Sequence, residues 1–355
     1  MITRKEFIKQ LAAATGGAAL MGFDLLHQSR LGLEQDSDLI IFDLHAHPGR
    51  FYRRGIDQYP GDEAVAKTVG EMNEGRLSGV FLSFVVDTLV TKRTDTGIVP
   101  ARKFEKGEAW KEYKRQVQQL DALCELLPMR KGTSVKDLDS GAKTVAAFYA
   151  CEGGDFLESA SQLDEVFADG VRAIQLVHYA PNPLGDLQTS PSEHGGFSEL
   201  GKAVVRKMNS LGMVIDVAHA SFKTVKDVAG ITGKPLILSH SILKLEEDRP
   251  ISVRAISEDH AMVIAETGGV IGAWPSGFST SFDDYIDNIM RLIDVVGVDH
   301  VGLGTDMDSN YKPVFDSYLQ LPELLGALRS KGLSTEDVQK VVGGNVVRVL
   351  KEVGV

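Results

Sequence analysis

"LIIFDLHAHPGR", residues 39–50, is an apolar run that ends in two histidines and is stopped at once by Pro48-Gly49. A continuous apolar run reads as a strand buried on both faces, the state of a parallel sheet covered by helices. Alternate residues of a strand point to one side, so His45 and His47 face the same way at its end. Neutral imidazole is a favoured ligand of zinc and its neighbours, which makes a metal site one reading of the pair. Two tolerated half-buried histidines are the other. The rest of the chain decides between them.

Seven further runs share this character. They are "GVFLSFVV" (79–86), "TVAAFYAC" (144–151), "VRAIQLVH" (171–178), "GMVIDVAH" (212–219), "PLILSH" (235–240), "GGVIGAW" (268–274) and "HVGLGTD" (300–306). Between them lie helical stretches such as "SELGKAVVRKMNSLG" (198–212), "SEDHAMVIAETGG" (257–269) and "FDDYIDNIMRLIDVVG" (282–297). Ser198 and Ser257 are placed as N-caps and the Gly-rich exits as C-caps. Eight strands alternating with helices predict an α/β chain folded as a (β/α)8 TIM barrel over residues 37–355, with a doubly wound open sheet as the alternative. Two connections are long. Residues 87–143 hold a charged helical stretch, "ARKFEKGEAWKEYKRQVQQLDALCELL", and residues 179–197, "YAPNPLGDLQTSPSEHGGF", form a Pro/Gly/Ser-rich loop; loops of this length are often functional. After residue 306 only helices are expected, the last opened by a capping pattern at Ser334.

Composition narrows the function. A net charge of −11 argues against nucleic acid and anionic membrane surfaces as partners. The two cysteines, Cys124 and Cys151, make neither a disulfide framework nor a cysteine-based zinc site, and Cys151 sits in an apolar run as a core residue. No apolar segment of the folded part reaches the ~18 residues that span a bilayer. Residues 1–36 read separately, as an export signal-like segment and linker. "TRKEFIKQLAAATGGAALMG" has a basic start and an Ala/Gly-rich apolar run, and it resembles a twin-arginine signal with Lys5 at the second arginine. It lacks a clean A-x-A cleavage site. The expectation is export to the periplasm; an ordinary amphipathic first helix, and a cytoplasmic protein, is the alternative.

In a barrel of this kind the chemistry gathers at the C-terminal ends of the strands. The exits carry His45 and His47, Glu152, His178, His219, His240 and Asp306, so five of the nine histidines fall where the barrel makes them converge. A half-buried histidine accounts for any one of them, but chance is a poor account of all together, and a metal site follows. Beyond His178 the donors are four imidazoles and two carboxylates. One tetrahedral zinc takes ~four ligands. The set suits two divalent ions ~3.5–4 Å apart, bridged by a carboxylate and a hydroxide. Zinc is the default, while manganese, cobalt and iron fit the same donor types.

These residues resemble the membrane dipeptidase (renal dipeptidase, peptidase family M19) group of the amidohydrolase superfamily. The resemblance covers nearly all of residues 38–353 and is carried by "DLHAH", "CEGG", "VHYAPNPLGD", "LGMVIDVAHAS", "LSHS", "ISEDHAMVIAETGGVIG", "HVGLGTDMD" and "VVGGNVVRVL" in that order. It implies a (β/α)8 barrel, a binuclear zinc centre and hydrolysis of dipeptides by a bridging hydroxide. Residue by residue, it implies that His45 and His47 hold one metal, Glu152 bridges, His219 and His240 hold the other, and Asp306 handles protons. It further implies that His178 polarises the scissile carbonyl and that Arg254 pairs with the substrate's C-terminal carboxylate, with Arg249 as its rival if the register slips. Two departures stand out. The family's first motif is normally H-x-D, and His47 replaces the aspartate, which leaves the centre more positive by one charge and should lower the pKa of a bridging water. Trp274 stands where the family often presents another aromatic or a tyrosine. Other amidohydrolases, such as N-acyl-amino-acid deacylases, lactonases or phosphotriesterases, are the alternative. Many of those bridge their metals with a carboxylated lysine, and no lysine ends any strand here. A barrel that binds peptide or metal without catalysis is a further alternative. Side-chain preference, tolerance of a C-terminal D-residue and any homo-oligomer are left open.

Overall fold

The computed structural model describes residues 38–95 and 97–355, so the export-like segment 1–36 lies outside the described residues. The compact body spans Ile40–Val355. Its strands are β1 (Phe42–Ala46), β2 (Gly79–Val85), β3 (Thr91–Thr94), β4 (Gly97–Pro100), β5 (Met129–Gly132), β6 (Val145–Glu152), β7 (Val171–Gln175), β8 (Val214–Asp216), β9 (Ile237–Ser241), β10 (Val270–Ala273) and β11 (Val301–Leu303). The order β2-β1-β11-β10-β9-β8-β7-β6 returns to β2 through the β2–β6 pairing. Every one of these pairings is parallel. The sheet is therefore a closed (β/α)8 barrel, not an open doubly wound one, and its eight strands are the eight apolar runs of the sequence.

Three strands were not expected. β3 and β4 form an antiparallel hairpin in the long connection after β2, and β5 follows the helix Glu108–Leu126. β5 pairs with Val145–Phe148, the first half of β6, and β7 takes over the same edge from Tyr149 to Glu152. Thus β6 serves two neighbours in succession, and β5 covers the edge that β7 does not reach.

Helix boundaries follow local chemistry. Ser198 Oγ accepts from the Gly201 amide at 3.0 Å, and Gly212, at φ 72°, ends that helix, Glu199–Leu211, in the left-handed conformation that glycine takes without a Cβ clash. Ser257 Oγ accepts from His260 N at 3.2 Å and opens helix Glu258–Glu266. Ser334 caps Thr335–Gln339, but the expected final helix is interrupted by a π turn, Lys340–Gly344, before Asn345–Val353.

The N-terminal end of the barrel is filled with apolar side chains. Phe42, Phe81 and Phe148 meet there with ring centroids 5.2–6.1 Å apart. Val346, Val349, Leu350 and Val353 of the last helix join the same cluster and close the floor. Higher up, β9, β10 and the β11 exit leave no room for a side chain between them. A Cβ on Gly272 or on Gly304 would lie 1.8 Å from the Ser239 carbonyl oxygen, so only glycine lets β10 and the β11 exit approach β9 this closely.

Three expected strands stop early. β7, β8 and β11 end at Gln175, Asp216 and Leu303, so His178, His219 and Asp306 lie three residues beyond them, on loops rather than on last strand positions. His219 and Asp306 have φ of 63° and 52°, a left-handed conformation that an extended strand does not contain.

Candidate metal centre

Above the apolar floor four imidazoles and one carboxylate turn inward. His45 is in β1 and His47 just past it; Glu152 is the last residue of β6, His240 lies in β9, and His219 lies past β8. All five are buried. Glu152 Oε1 is 3.4 Å from His45 Nε2, 3.3 Å from His219 Nε2 and 3.7 Å from His240 Nε2, and Oε2 is 3.2 Å from His47 Nε2. Two groups of potential ligands result, His45/His47/Glu152 and Glu152/His219/His240, each with its ligand atoms within 4.8 Å of one another. Glu152 belongs to both.

The orientation of the rings fits a cation at their centre. Within each pair the Nε2 atoms face each other, at 3.0 Å for His45 and His47 and 3.1 Å for His219 and His240. Three rings are held from behind: His47 Nδ1 donates to the Ser83 carbonyl at 2.9 Å, His45 Nδ1 meets Ser83 Oγ at 3.1 Å, and His240 Nδ1 meets Ser239 Oγ at 3.0 Å. A donor bond at Nδ1 leaves the lone pair on Nε2, which is how metal-ligating histidines are prepared. Burial, with neighbouring positive charge, keeps His219 and His240 far below the usual imidazole pKa, and burial also lowers His45. Burial alone would raise Glu152, but His178, His45 and His219 outweigh it and hold the carboxylate well below its ordinary range. Burial would lower His47 as well, but Glu152, Asp306 and the Ser83 carbonyl outweigh it and raise its pKa. Imidazoles around an ionised carboxylate form an N/O donor set suited to divalent zinc and its neighbours.

Deeper carboxylates brace the strand exits. Asp43 accepts from His45 N at 3.1 Å, Thr305 N at 3.0 Å and Tyr318 Oη at 2.6 Å, joining β1 to the loop that carries Asp306. Asp216 accepts from Ala218 N at 2.9 Å and Ser239 N at 3.0 Å, fixing the turn before His219. Such bracing holds His219 and Asp306 at positive φ, each a strain of about 1–3 kcal/mol.

Around the five donors lie three further groups. Asp306 Oδ1 is 3.5 Å from His47 Nε2; burial, reinforced by the charge of Glu152, raises its pKa to about 8 against the pull of His47 and His178. His178 Nε2 is 3.3 Å from Glu152 Oε1, and its Nδ1 lies 2.8 Å from Asp87 Oδ1. Burial works to lower the His178 pKa, but Asp87 and Glu152 outweigh it and raise it to about 9. Arg254 is buried, donates through Nη1 to Gln188 Oε1, and stands 5.8 Å from the Trp274 ring centroid. Its Nε and Nη2 are buried with no hydrogen-bond partner. Arg249 is instead tied up in ion pairs with Asp284 and Glu247. Of the two arginines, only Arg254 is buried with donors to spare.

The structure thus gathers His45, His47, Glu152, His178, His219, His240, Asp306 and Arg254 about one end of the barrel. The family model of the membrane dipeptidases (peptidase family M19) matches residues 36–355. The chain belongs to the membrane dipeptidase family. Among relatives of this M19 chain, dipeptidase verJ of Clonostachys rogersoniana is 27% identical over 299 residues, 79% of this chain and 74% of that one. Dipeptidase aclJ of Aspergillus oryzae is 34% identical over 207 residues, 55% of this chain and 48% of that one, so the match spans about half of that relative's length. A metallo peptidase from Rhodobacter sphaeroides, solved with a phosphinate mimic of the dipeptide L-Ala-D-Ala, has the same fold: TM-score 0.74, 20% identity, 89% of this chain and 99% of that one.

Several residues of this dipeptidase-family site went unread in the sequence. Asp87 directly follows the apolar run of β2, the kind of exit position that the histidines occupy on other strands. Ser83 and Ser239 are the polar residues inside "FLSF" and "ILSH". Gln188, which accepts from Arg254, and Tyr179, whose ring centroid is 4.9 Å from that of His219, lie in the 179–197 loop, where nothing in the composition marks them.

Proposed function

We propose that this M19 chain is a metallo-dipeptidase that hydrolyses free dipeptides at two divalent ions, zinc by default, held by His45, His47, Glu152, His219 and His240. The observation that carries this reading is the pair of histidine pairs sharing one buried carboxylate. Such ions, when bound, supply Lewis acidity toward a carbonyl and activate water as a nucleophile at neutral pH.

The chain's own residues do the rest. Glu152 meets His47 through Oε2 and His45, His219 and His240 through Oε1, and keeps its negative charge among the imidazoles. Asp306, whose buried carboxyl lies 3.5 Å from His47 Nε2, takes a proton from the attacking water and hands it to the leaving amine, as general base and then acid. His178 directs Nε2 at the scissile carbonyl oxygen. Arg254 offers Nε and Nη2 to the C-terminal carboxylate, a planar fork that matches a carboxylate and selects dipeptides over longer chains. His47 in place of the family's aspartate leaves the centre one charge more positive. The Rhodobacter protein's phosphinate ligand supports including C-terminal D-residues among the substrates. The basic, Ala/Gly-rich start of the chain supports export to the periplasm, and no helix among the described residues is long and apolar enough to cross a membrane.

The test is metal analysis of the purified protein with a panel of L-L and L-D dipeptides, N-acyl amino acids and lactones. About two divalent ions per chain are expected, and a chelator should abolish dipeptide turnover until metal is restored. Full dipeptide turnover by a metal-free preparation would overturn the reading. Turnover of N-acyl amino acids or lactones with none of any dipeptide would assign the chain to the rival amidohydrolases.

A further inference from the structure

Asp87 is a fully buried carboxylate, and its partners all belong to one segment. Oδ1 is 2.8 Å from His178 Nδ1, while Oδ2 accepts from the Tyr179 and Ala180 amides at 3.1 and 2.9 Å. It stands just beyond β2, in the 3-10 turn Val86–Leu89, and reaches across 91 residues of sequence to the loop after β7. A buried carboxylate is costly unless its lone pairs are used, and here two oxygens take three donors. One oxygen grips the loop backbone and the other grips the ring that the loop carries. The ring cannot swing while Nδ1 is held, so Nε2 keeps its direction toward the Glu152 side of the centre.

We propose that Asp87 is a positioning residue: through Nδ1 it fixes the His178 ring so that Nε2 meets the carbonyl of the bound substrate. Its alternative is purely architectural, an anchor for the loop 179–197 that would matter equally without His178.

The substitution Asp87→Asn separates the two roles. The amide oxygen it introduces can still accept from the Tyr179 and Ala180 amides, while the new NH2 then faces His178 Nδ1. That nitrogen must give up its proton or the ring must turn. The kinetic arm rests on the dipeptidase reading. Metal-loaded wild type, D87N, H178A and the double variant are compared on one dipeptide, with metal content measured for each. D87N should lower kcat 10- to 100-fold, the range for removing a partner that orients a functional imidazole. KM should stay within about threefold and the metal content should be unchanged. In the H178A background the same change should cost less than about twofold. An equal loss in both backgrounds, or loss of metal in D87N, overturns the proposal in favour of an anchor.

The second arm needs no turnover and no folded Asp87 variant. In the metal-loaded enzyme labelled with 15N-histidine, the His178 signals are assigned by their loss in H178A. They should show Nδ1 protonated and hydrogen-bonded; an unprotonated Nδ1 overturns the proposal. A wild type that cleaves no dipeptide would defeat the dipeptidase reading, and this spectrum would still test the Asp87–His178 bond on which the proposal stands.

Discussion

At the N-terminal end of the barrel, Phe42, Phe81 and Phe148 pack with the C-terminal helix in a cluster of apolar side chains. At the other end the same strands deliver four inward-facing imidazoles, an ionised Glu152, a buried Asp306 and a buried Arg254. The first arrangement stabilises the fold: each phenyl ring removes on the order of 150–250 Å² from water, at ~25 cal/mol per Å². The second costs stability, because buried charge is desolvated and His219 and Asp306 are held at strained φ. Strength and chemistry are therefore segregated along each strand, and substitutions at the two ends should fail in different ways.

The largest effect expected is at the polar end. Asp306→Asn should lower kcat by about 10²–10⁴-fold, since the proposed proton-transfer group is lost, while the metal content stays at the wild-type level. Thermal stability should hold or rise, because asparagine tolerates the left-handed φ at this position and a buried carboxyl is removed. A clear drop in melting temperature, or turnover near wild type, would break the contrast between the ends. At the apolar end Phe148→Ala should do the reverse. Chemical denaturation should report a loss of about 3–5 kcal/mol, with kcat per folded, metal-loaded molecule within twofold of wild type.

The two ends also differ in how legible they were. Barrel strands buried on both faces appear in sequence as continuous apolar runs, so "GVFLSFVV" or "TVAAFYAC" announce β2 and β6 without help from context. The hairpin strands "TKRT" and "GIVP" and the short β5, "MRKG", carry no such signature, since they are partly exposed and held by backbone pairing. The polar end was legible because histidines are scarce and five of them closed apolar runs. What could not be read was the backbone there: nothing about His219 or Asp306 as residue types announces a left-handed φ, so the strands were drawn three residues too long. Asp87 was missed for a different reason. A lone aspartate after a strand is ordinary, and only its contact with His178 sets it apart.

The smallest effect tests the closest comparison in the molecule, two arginines five residues apart. Sequence register alone left Arg249 and Arg254 as rivals. The structure gives Arg249 two carboxylate partners, Asp284 and Glu247, and gives Arg254 the Gln188 amide oxygen and the neighbouring Tyr179 side chain but no carboxylate partner, with Nε and Nη2 buried. A buried guanidinium with idle donors is stable only when an anion completes it, and the C-terminal carboxylate of a dipeptide is an anion of the right shape. Arg254→Met should therefore cost on the order of 2–4 kcal/mol in kcat/KM for a dipeptide acid, the range for truncating one partner of a buried charged pair. A dipeptide amide lacks that carboxylate. It should be a poor substrate for the wild type and nearly indifferent to the substitution, so acid and amide on both proteins form a double-mutant cycle. Arg249→Met should lower stability by the worth of a half-buried ion pair and leave the acid-to-amide ratio unchanged. Equal losses on acid and amide for Arg254→Met would make Arg254 a structural residue, and a collapse of the ratio in Arg249→Met would move the clamp to its neighbour.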